Sequence, residues 1–168
     1  MIENRNDSAT DGTLLELPAD REILITRSFN APARIVFEAM TQPEYVRQWW
    51  APKSRGQMLV CEVDFRVGGA WRYVMHTNSG LEVGFSGKFL EIRAPHRVVQ
   101  TEVFDPFPDL GAVVTVQLAE RDGSTTLTSR SVYPSKEVRD QVIATGMEDG
   151  MRESYRQLSA LVSNLARA

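Results

Sequence analysis

The chain has 168 residues, 42% of them hydrophobic and 24% charged, with a formal charge of −3 and a pI near 5.5. That length and balance describe one soluble domain able to bury a core without metal or disulfide. The acidic balance gives no basic footprint for nucleic acid, the single Cys61 cannot close an internal disulfide, and no apolar run is long enough to cross a bilayer.

The opening residues, MIENRNDSATDGTLLELP, lack a cationic start followed by a hydrophobic block, so no secretory signal is expected and a reducing cytoplasm is the expected location. Residues 1–18 read as a flexible N-terminal segment ahead of a single domain over 19–168. Within that segment Leu14, Leu15 and Leu17 offer a short edge strand before Pro18. From Arg21 a strand is definite: Ile23, Ile25 and Arg27 share one face, and Leu24, Thr26 and Ser28 the other. Pro32 suits the first turn of a helix, where a missing N–H costs nothing, and Ile35, Val36, Ala39 and Met40 share that helix's face. Thr41 to Pro43 closes it and starts a second short helix carrying Tyr45, Val46, Trp49 and Trp50.

Strands then follow in quick succession. Leu59, Cys61, Val63 and Phe65 alternate with Met58, Val60 and Glu62; after a turn at Gly68-Gly69, Trp71, Tyr73 and Met75 recur at period two. Asn78-Ser79-Gly80 reverses the chain into a strand with Val83, Phe85 and Phe89 on one side. Ala94-Pro95-His96 is a turn before Val98 to Phe104. Asp105-Pro106-Phe107-Pro108-Asp109 is expected to be a loop, because two prolines so close do not suit a paired strand. Val113 to Leu118 and Thr125 to Tyr133 form the last pair, with Asp122-Gly123 as a hairpin signal. After Ser135, an N-cap residue type, Val138, Val142, Met147, Met151, Tyr155, Leu158, Val162 and Leu165 recur at helical spacing, interrupted by Gly146. The expected architecture is α+β: a curved antiparallel sheet of six to seven strands around a long C-terminal helix, with two short helices after the first strand.

This order resembles the helix-grip fold of the START and polyketide-cyclase-like superfamily (SRPBCC, birch-pollen-allergen-like). Within it the chain is similar to the branch named after activators of the heat shock protein 90 ATPase. The residues that carry the resemblance are Arg27-Ser28-Phe29-Asn30-Ala31-Pro32, Trp49-Trp50-Ala51-Pro52, DFRVGGAWRYVM at 64–75, GKFLEIRAPHRVV at 87–99 and GMEDGMRESYRQL at 146–158. Met151 departs from the pattern, since the family often has an aromatic residue there, and the slimmer side chain would reshape the interior. The resemblance implies a fold and a pocket rather than a reaction.

A strongly curved sheet cannot touch a straight helix everywhere, so a space is expected between them, to be filled by side chains or by a ligand. Trp49, Trp50, Trp71, Tyr73, Met75, Phe85, Glu102, Phe104, Met147, Met151 and Tyr155 are the candidate lining, the mix of apolar, aromatic and sparse polar groups that ligand sites use. Each aromatic has an alternative as plain core. Glu91 and Glu102 lie on neighbouring strands, either as inward carboxylates with raised pKa or as rim groups paired with Arg93 or Arg97. Arg72 and Arg130 are either anchors for an anionic ligand or exterior charges. His76 and His96 read as surface residues and Cys61 as a buried structural thiol. The sequence holds no catalytic constellation, no phosphate loop and no cofactor or metal motif. Three functions are open: binding of a small hydrophobic or aromatic molecule, a cyclase-, aromatase- or hydrolase-like enzyme using the same cavity, and a chaperone ATPase-activator-like interaction domain. The last rests on the family name alone, and the known activators carry a second domain for which this chain has no room. An exposed strand or the N-terminal leucines offer a surface for a homodimer.

Overall fold

The computed structural model describes residues 12–168. The elements run β1 (Thr13–Glu16), β2 (Glu22–Phe29), α1 (Ala33–Thr41), α2 (Pro43–Trp49), β3 (Gly56–Val63), β4 (Ala70–Thr77), β5 (Glu82–Arg93), β6 (Arg97–Phe104), β7 (Phe107–Arg121), β8 (Ser124–Val132), α3 (Lys136–Ala144) and α4 (Met147–Arg167). The strands pair antiparallel in one sheet of order β1-β2-β8-β7-β6-β5-β4-β3. Strands β3 to β8 form a meander, and β2 then pairs with β8, Glu22↔Val132 to Phe29↔Thr125. Consecutive β2 and β3 therefore lie near opposite edges of the sheet, and α1 and α2 make the crossing between them. Helix α4 packs on both α1 and α2, and its stripe Tyr155, Leu158 and Val162 enters the core with Ile23, Phe29, Val36, Val46 and Leu127. This is the helix-grip architecture expected from the sequence.

The sheet has eight strands rather than six or seven, because Thr13 to Glu16 joins it. Their register on β2 runs Thr13↔Arg27 to Glu16↔Leu24, so the expected edge strand forms and the ordered fold begins before residue 19. Residues 1–11 of the segment read as flexible lie outside the described residues. The C-terminal helical segment is divided at Gly146, whose φ of 78° lies in the left-handed region, and Ser135 caps α3 by accepting from the Val138 N–H at 3.2 Å.

Two local expectations are corrected. The loop at 105–109 is only a two-residue turn, since Phe104 pairs with Phe107. Pro108 is tolerated inside β7 because the β7–β8 register starts only at Val113↔Val132, so this stretch has no β8 partner demanding its N–H. Leu59 does not share the face of Cys61: a register shift between Met58 and Val60 turns it outward, 49% exposed. Two further shifts, between Phe89 and Glu91 and between Glu102 and Phe104, add bends on the neighbouring strands. At the β7–β8 turn Asp122 and Gly123 have φ of 52° and 78°, the left-handed pair that an Asp-Gly hairpin favours. Among the described residues no helix is long and apolar enough to cross a membrane.

Candidate functional site

The paired tryptophans leave the end of α2 in different directions. Trp49 turns under α4: its indole N–H donates to the Ala39 carbonyl at 2.8 Å, and its ring stacks on Tyr155 at 6.3 Å. Trp50 instead lies over the sheet, edge-on to Tyr73 at 5.2 Å and to Phe85 at 5.5 Å. Carbonyls at this helix end are satisfied by α4. Ser154 donates to the Trp50 carbonyl at 2.8 Å, and Gln157 Nε2 donates to those of Trp49 and Ala51, each at 2.9 Å. Gly150 lies against Pro52 and Arg55, which lets the N-terminal half of α4 seat closely on this corner. Met147 and Met151 precede Tyr155 at helical spacing and are half-buried.

On the inner face of the sheet the aromatic rings form a continuous run. Trp71 meets Tyr73 at 4.8 Å, Trp50 bridges Tyr73 and Phe85, Phe85 meets Phe104 at 5.1 Å, and Phe104 meets Phe107 at 6.0 Å. Trp50, Phe85 and Phe104, with Met75 one turn of the strand alternation beyond Tyr73, are half-buried, while Phe107 is 55% exposed. The run thus passes from the interior to the surface at the β6–β7 turn.

Glu102 sits beside this run through the regular register of β5 and β6, in which Phe85 pairs with Phe104 and Ser86 with Val103. The Trp71 indole passes over Gly87 and donates to the Thr101 carbonyl at 3.1 Å. A Cβ at Gly87 would stand 1.8 Å from that carbonyl oxygen and 2.7 Å from the indole nitrogen, so only glycine fits. The Lys88 N–H bonds the Thr101 side chain at 2.9 Å. Glu102 follows, paired with Ala112 on β7 and level with Gly87 by continuation of the Ser86↔Val103 register. Its flanks on both neighbouring strands are therefore small residues, and period two places it with Gln100 and Phe104 on the inner face.

Burial pushes the Glu102 carboxyl up to about 7, and among the described residues neither a cation nor a hydrogen-bond donor offsets it. Three tyrosines feel its charge. Tyr73 is raised by burial, by Cys61 and by Glu102. Tyr133, just after β8, is pushed up to about 12 by burial and then by Glu102, against a hydrogen bond with Ser131. Tyr155 is pushed up to about 12 by burial, against a hydrogen bond with Ser129, with smaller opposing effects of Glu102 and Arg27. The arrangement is a carboxyl poised near neutrality, surrounded by phenols that stay protonated.

The structure sorts the candidates. Trp50, Tyr73, Phe85 and Phe104 come together by ring contact, Glu102 stands two residues before Phe104 on the same face, Met75 follows Tyr73 on β4, and Met147 and Met151 are half-buried on α4. Trp49 and Trp71, both with bonded indole N–H groups and little exposure, are packing residues, as is the face of Tyr155 that stacks on Trp49. Glu91 is a rim group, bridging Arg93 at 2.6 Å and Arg97 at 3.2 Å. Arg72 pairs with Asp105 at 2.9 Å and Arg130 with Glu22 at 2.7 Å, so both are exterior charges. His76 and His96 are exposed, and Cys61 is buried, its thiol raised by burial. Sequence reasoning missed Tyr133 and Ser129. Their alternation with Leu127 along β8 was a signal for the inner face, but it carried no sign of which strand end lay near Glu102. Among the described residues no three His, Cys, Asp or Glu side chains are grouped to hold a metal.

The hollow beside Tyr73 measures about 40 Å³ and is lined on the α1 side by Phe37, Met40 and Thr41. It has room for water but is far below the roughly 300–1,000 Å³ of sites for larger ligands. A wider, open groove of about 490 Å³ lies elsewhere, between the Arg93–Arg97 turn and Thr126 and Thr128; both arginines there already engage Glu91.

A family model described as activator of Hsp90 ATPase homolog 1-like protein matches residues 30–163. No curated protein matches the chain. A crystal structure of a Rhodobacter sphaeroides protein, 26% identical, covers 90% of this chain and 99% of its own with a TM-score of 0.83. A solution structure from Staphylococcus epidermidis, 28% identical, covers 89% and 93% at 0.72. A Nitrosomonas europaea crystal structure, 23% identical, covers 90% and 100% at 0.80 and shows the shared fold.

Proposed function

The chain belongs to the activator of Hsp90 ATPase homolog 1-like family of the START and polyketide-cyclase superfamily, and within that fold we propose that it binds a small, largely apolar or aromatic molecule between the sheet and α4. The observation that carries this reading is the half-buried run Trp50, Phe85 and Phe104 on the inner face, ending beside the uncompensated carboxyl of Glu102. The hollow as it stands is small and lies on the α1 side of Tyr73, so a ligand seated on the aromatic run requires side chains between the sheet and α4 to repack. Methionine is suited to such repacking because its thioether side chain is unbranched and flexible. This reading puts the binding event in the cytoplasm, in keeping with a lone buried thiol.

Trp50 is the natural reporter, since its indole lies in the run whereas Trp49 and Trp71 are packed. Titration with a panel of lipophilic aromatic compounds is expected to change tryptophan emission and raise the melting temperature, with the emission change lost in Trp50→Phe. At a ligand concentration of about a hundred times Kd the stabilisation is about 2.7 kcal/mol. A panel that leaves emission and melting unchanged, with no compound retained in native mass spectrometry, refutes the reading.

The position of the Glu102 carboxyl near neutrality favours one second reading, an acid–base enzyme. Such a group both accepts and returns protons at working pH, and phenols at Tyr73 and Tyr155 are available as donors to a substrate oxygen. Deuterium exchange at the α-carbon of an added aryl ketone tests it: exchange no faster than in Glu102→Gln or in buffer excludes it.

A further inference from the structure

Glu102 stands on the inner face of the sheet, and among the described residues no cation forms an ion pair with it. The nearby arginines are engaged elsewhere: Arg72 with Asp105, Arg97 and Arg93 with Glu91, Arg130 with Glu22. Arg27 points inward from β2, where its Nη1 donates to Thr13 Oγ1 at 2.6 Å and its guanidinium stands 5.8 Å from the Phe29 ring centre. Small residues, Gly87 and Ala112, flank Glu102 on either side, and the faces and edges of Trp50, Phe85 and Phe104 lie along the same surface.

We propose that the ligand of this site carries a protonated nitrogen on an apolar or aromatic body, and that Glu102 is its counter-ion. The inference rests on the reading that this face binds a small apolar molecule, and it names the chemistry of that molecule's polar end. A cation placed against Glu102 removes the penalty of an unpaired buried carboxylate and gains a charge-assisted hydrogen bond. The neighbouring rings add attraction through their negative faces. A neutral alcohol of the same body fills the apolar surface but brings no charge to Glu102 and gains only an ordinary hydrogen bond. An anionic ligand places like charges together.

The groups facing Glu102 leave the pH dependence to it alone. Tyr73 from β4, Tyr133 after β8 and Tyr155 from α4 are all raised above the ordinary phenol range. Cys61 from β3, which acts on Tyr73, is raised as well. Arg27 from β2 acts on Tyr155 and remains cationic. Gln100 and Phe104 beside it on β6 and Ala112 on β7 do not titrate. Binding of an amine near neutral pH therefore draws the proton off Glu102 and releases it to solvent, whereas binding of an alcohol releases none.

The test uses three probes with one body: 2-naphthylmethylamine, 2-naphthylmethanol and 2-naphthoic acid, with the full chain and with Glu102→Gln. At about pH 8 the amine is expected to bind about tenfold tighter than the alcohol and the acid weakest, with the amine's advantage gone in Glu102→Gln. Calorimetry of the unaltered protein near pH 6.5 in two buffers of different ionisation enthalpy is expected to show proton release with the amine only, a readout that does not depend on the variant folding. Equal binding of amine and alcohol, a preference for the acid, an amine preference that survives in Glu102→Gln, or no proton release would each overturn the counter-ion role while leaving an apolar ligand site standing. If none of the three binds and the wider aromatic panel also fails, both readings fall together.

Discussion

Replacing Glu102 by glutamine tests the inner-face carboxyl through stability, without any ligand. Burial raises the group from its ordinary 4.5 to about 7 in the folded protein, and unfolding returns it to the lower value. Between those values the native state holds a proton that the unfolded state has released. Native stability therefore falls as pH rises through this interval and stays lowered above about 7. With a tenfold change in proton affinity worth ~1.36 kcal/mol, the full loss is ~3 kcal/mol. The glutamine variant holds no titratable proton there and escapes the loss. Relative to the unaltered protein it is expected to be about equally stable near pH 4 and more stable by up to ~3 kcal/mol near pH 8. For a domain of this size that is roughly 6–12 °C in melting temperature. Urea unfolding followed by circular dichroism from pH 4 to pH 8, with the difference taken between the two proteins, isolates the contribution of Glu102. A stability difference that stays flat across the range refutes the reasoning: Glu102 would then be solvated or paired in the native state.

Gly87→Ala forces a Cβ to within 1.8 Å of the Thr101 carbonyl oxygen and 2.7 Å of the Trp71 indole nitrogen. The cost is expected to exceed ~2 kcal/mol in chemical denaturation, through strain and loss of the indole hydrogen bond; a neutral effect would show that the β5–β6 pair relaxes freely. Gly146→Ala meets no side chain within 4 Å but keeps a φ of 78°, so its penalty is backbone strain alone, about 1 kcal/mol, read from thermal melts. Leu158→Ala, at a position with 0% exposure between α4 and the sheet, is expected to cost about 2–5 kcal/mol. A loss below ~1 kcal/mol in urea titration would mean that α4 does not close the core.

Much of the fold was legible because neighbouring residues dictate it. Period-two alternation of Trp71, Tyr73 and Met75, the Asp122-Gly123 turn, the Ser135 cap and the Gly146 break are all local effects, and each appears where the sequence puts it. The errors came where a partner strand decides. Pro108 sits in a strand because β8 does not reach it, and Leu59 faces solvent because β3 slips one residue against β4. The candidate site was half legible in the same way. Aromatic residue types and strand phase nominated Trp50, Phe85 and Phe104, but the same pattern also nominated Trp49 and Trp71, which the fold consumes in packing. No local signal separates two adjacent tryptophans; the packing of α4 on the end of α2, with Tyr155 stacked on Trp49, does that.

The amino-acid order alone determined the element sequence, the inward phase of each strand and the residue types available to an interior. Only the three-dimensional arrangement decided that Glu91 meets two arginines while Glu102 pairs with none among the described residues. Both carboxylates stand on adjacent strands in similar local sequence, and their protonation depends on charges and solvent brought near by pairing across the sheet. Local periodicity acts over a few residues, whereas the protonation of the Glu102 carboxyl is set by its removal from water, which only the packing of distant elements brings about.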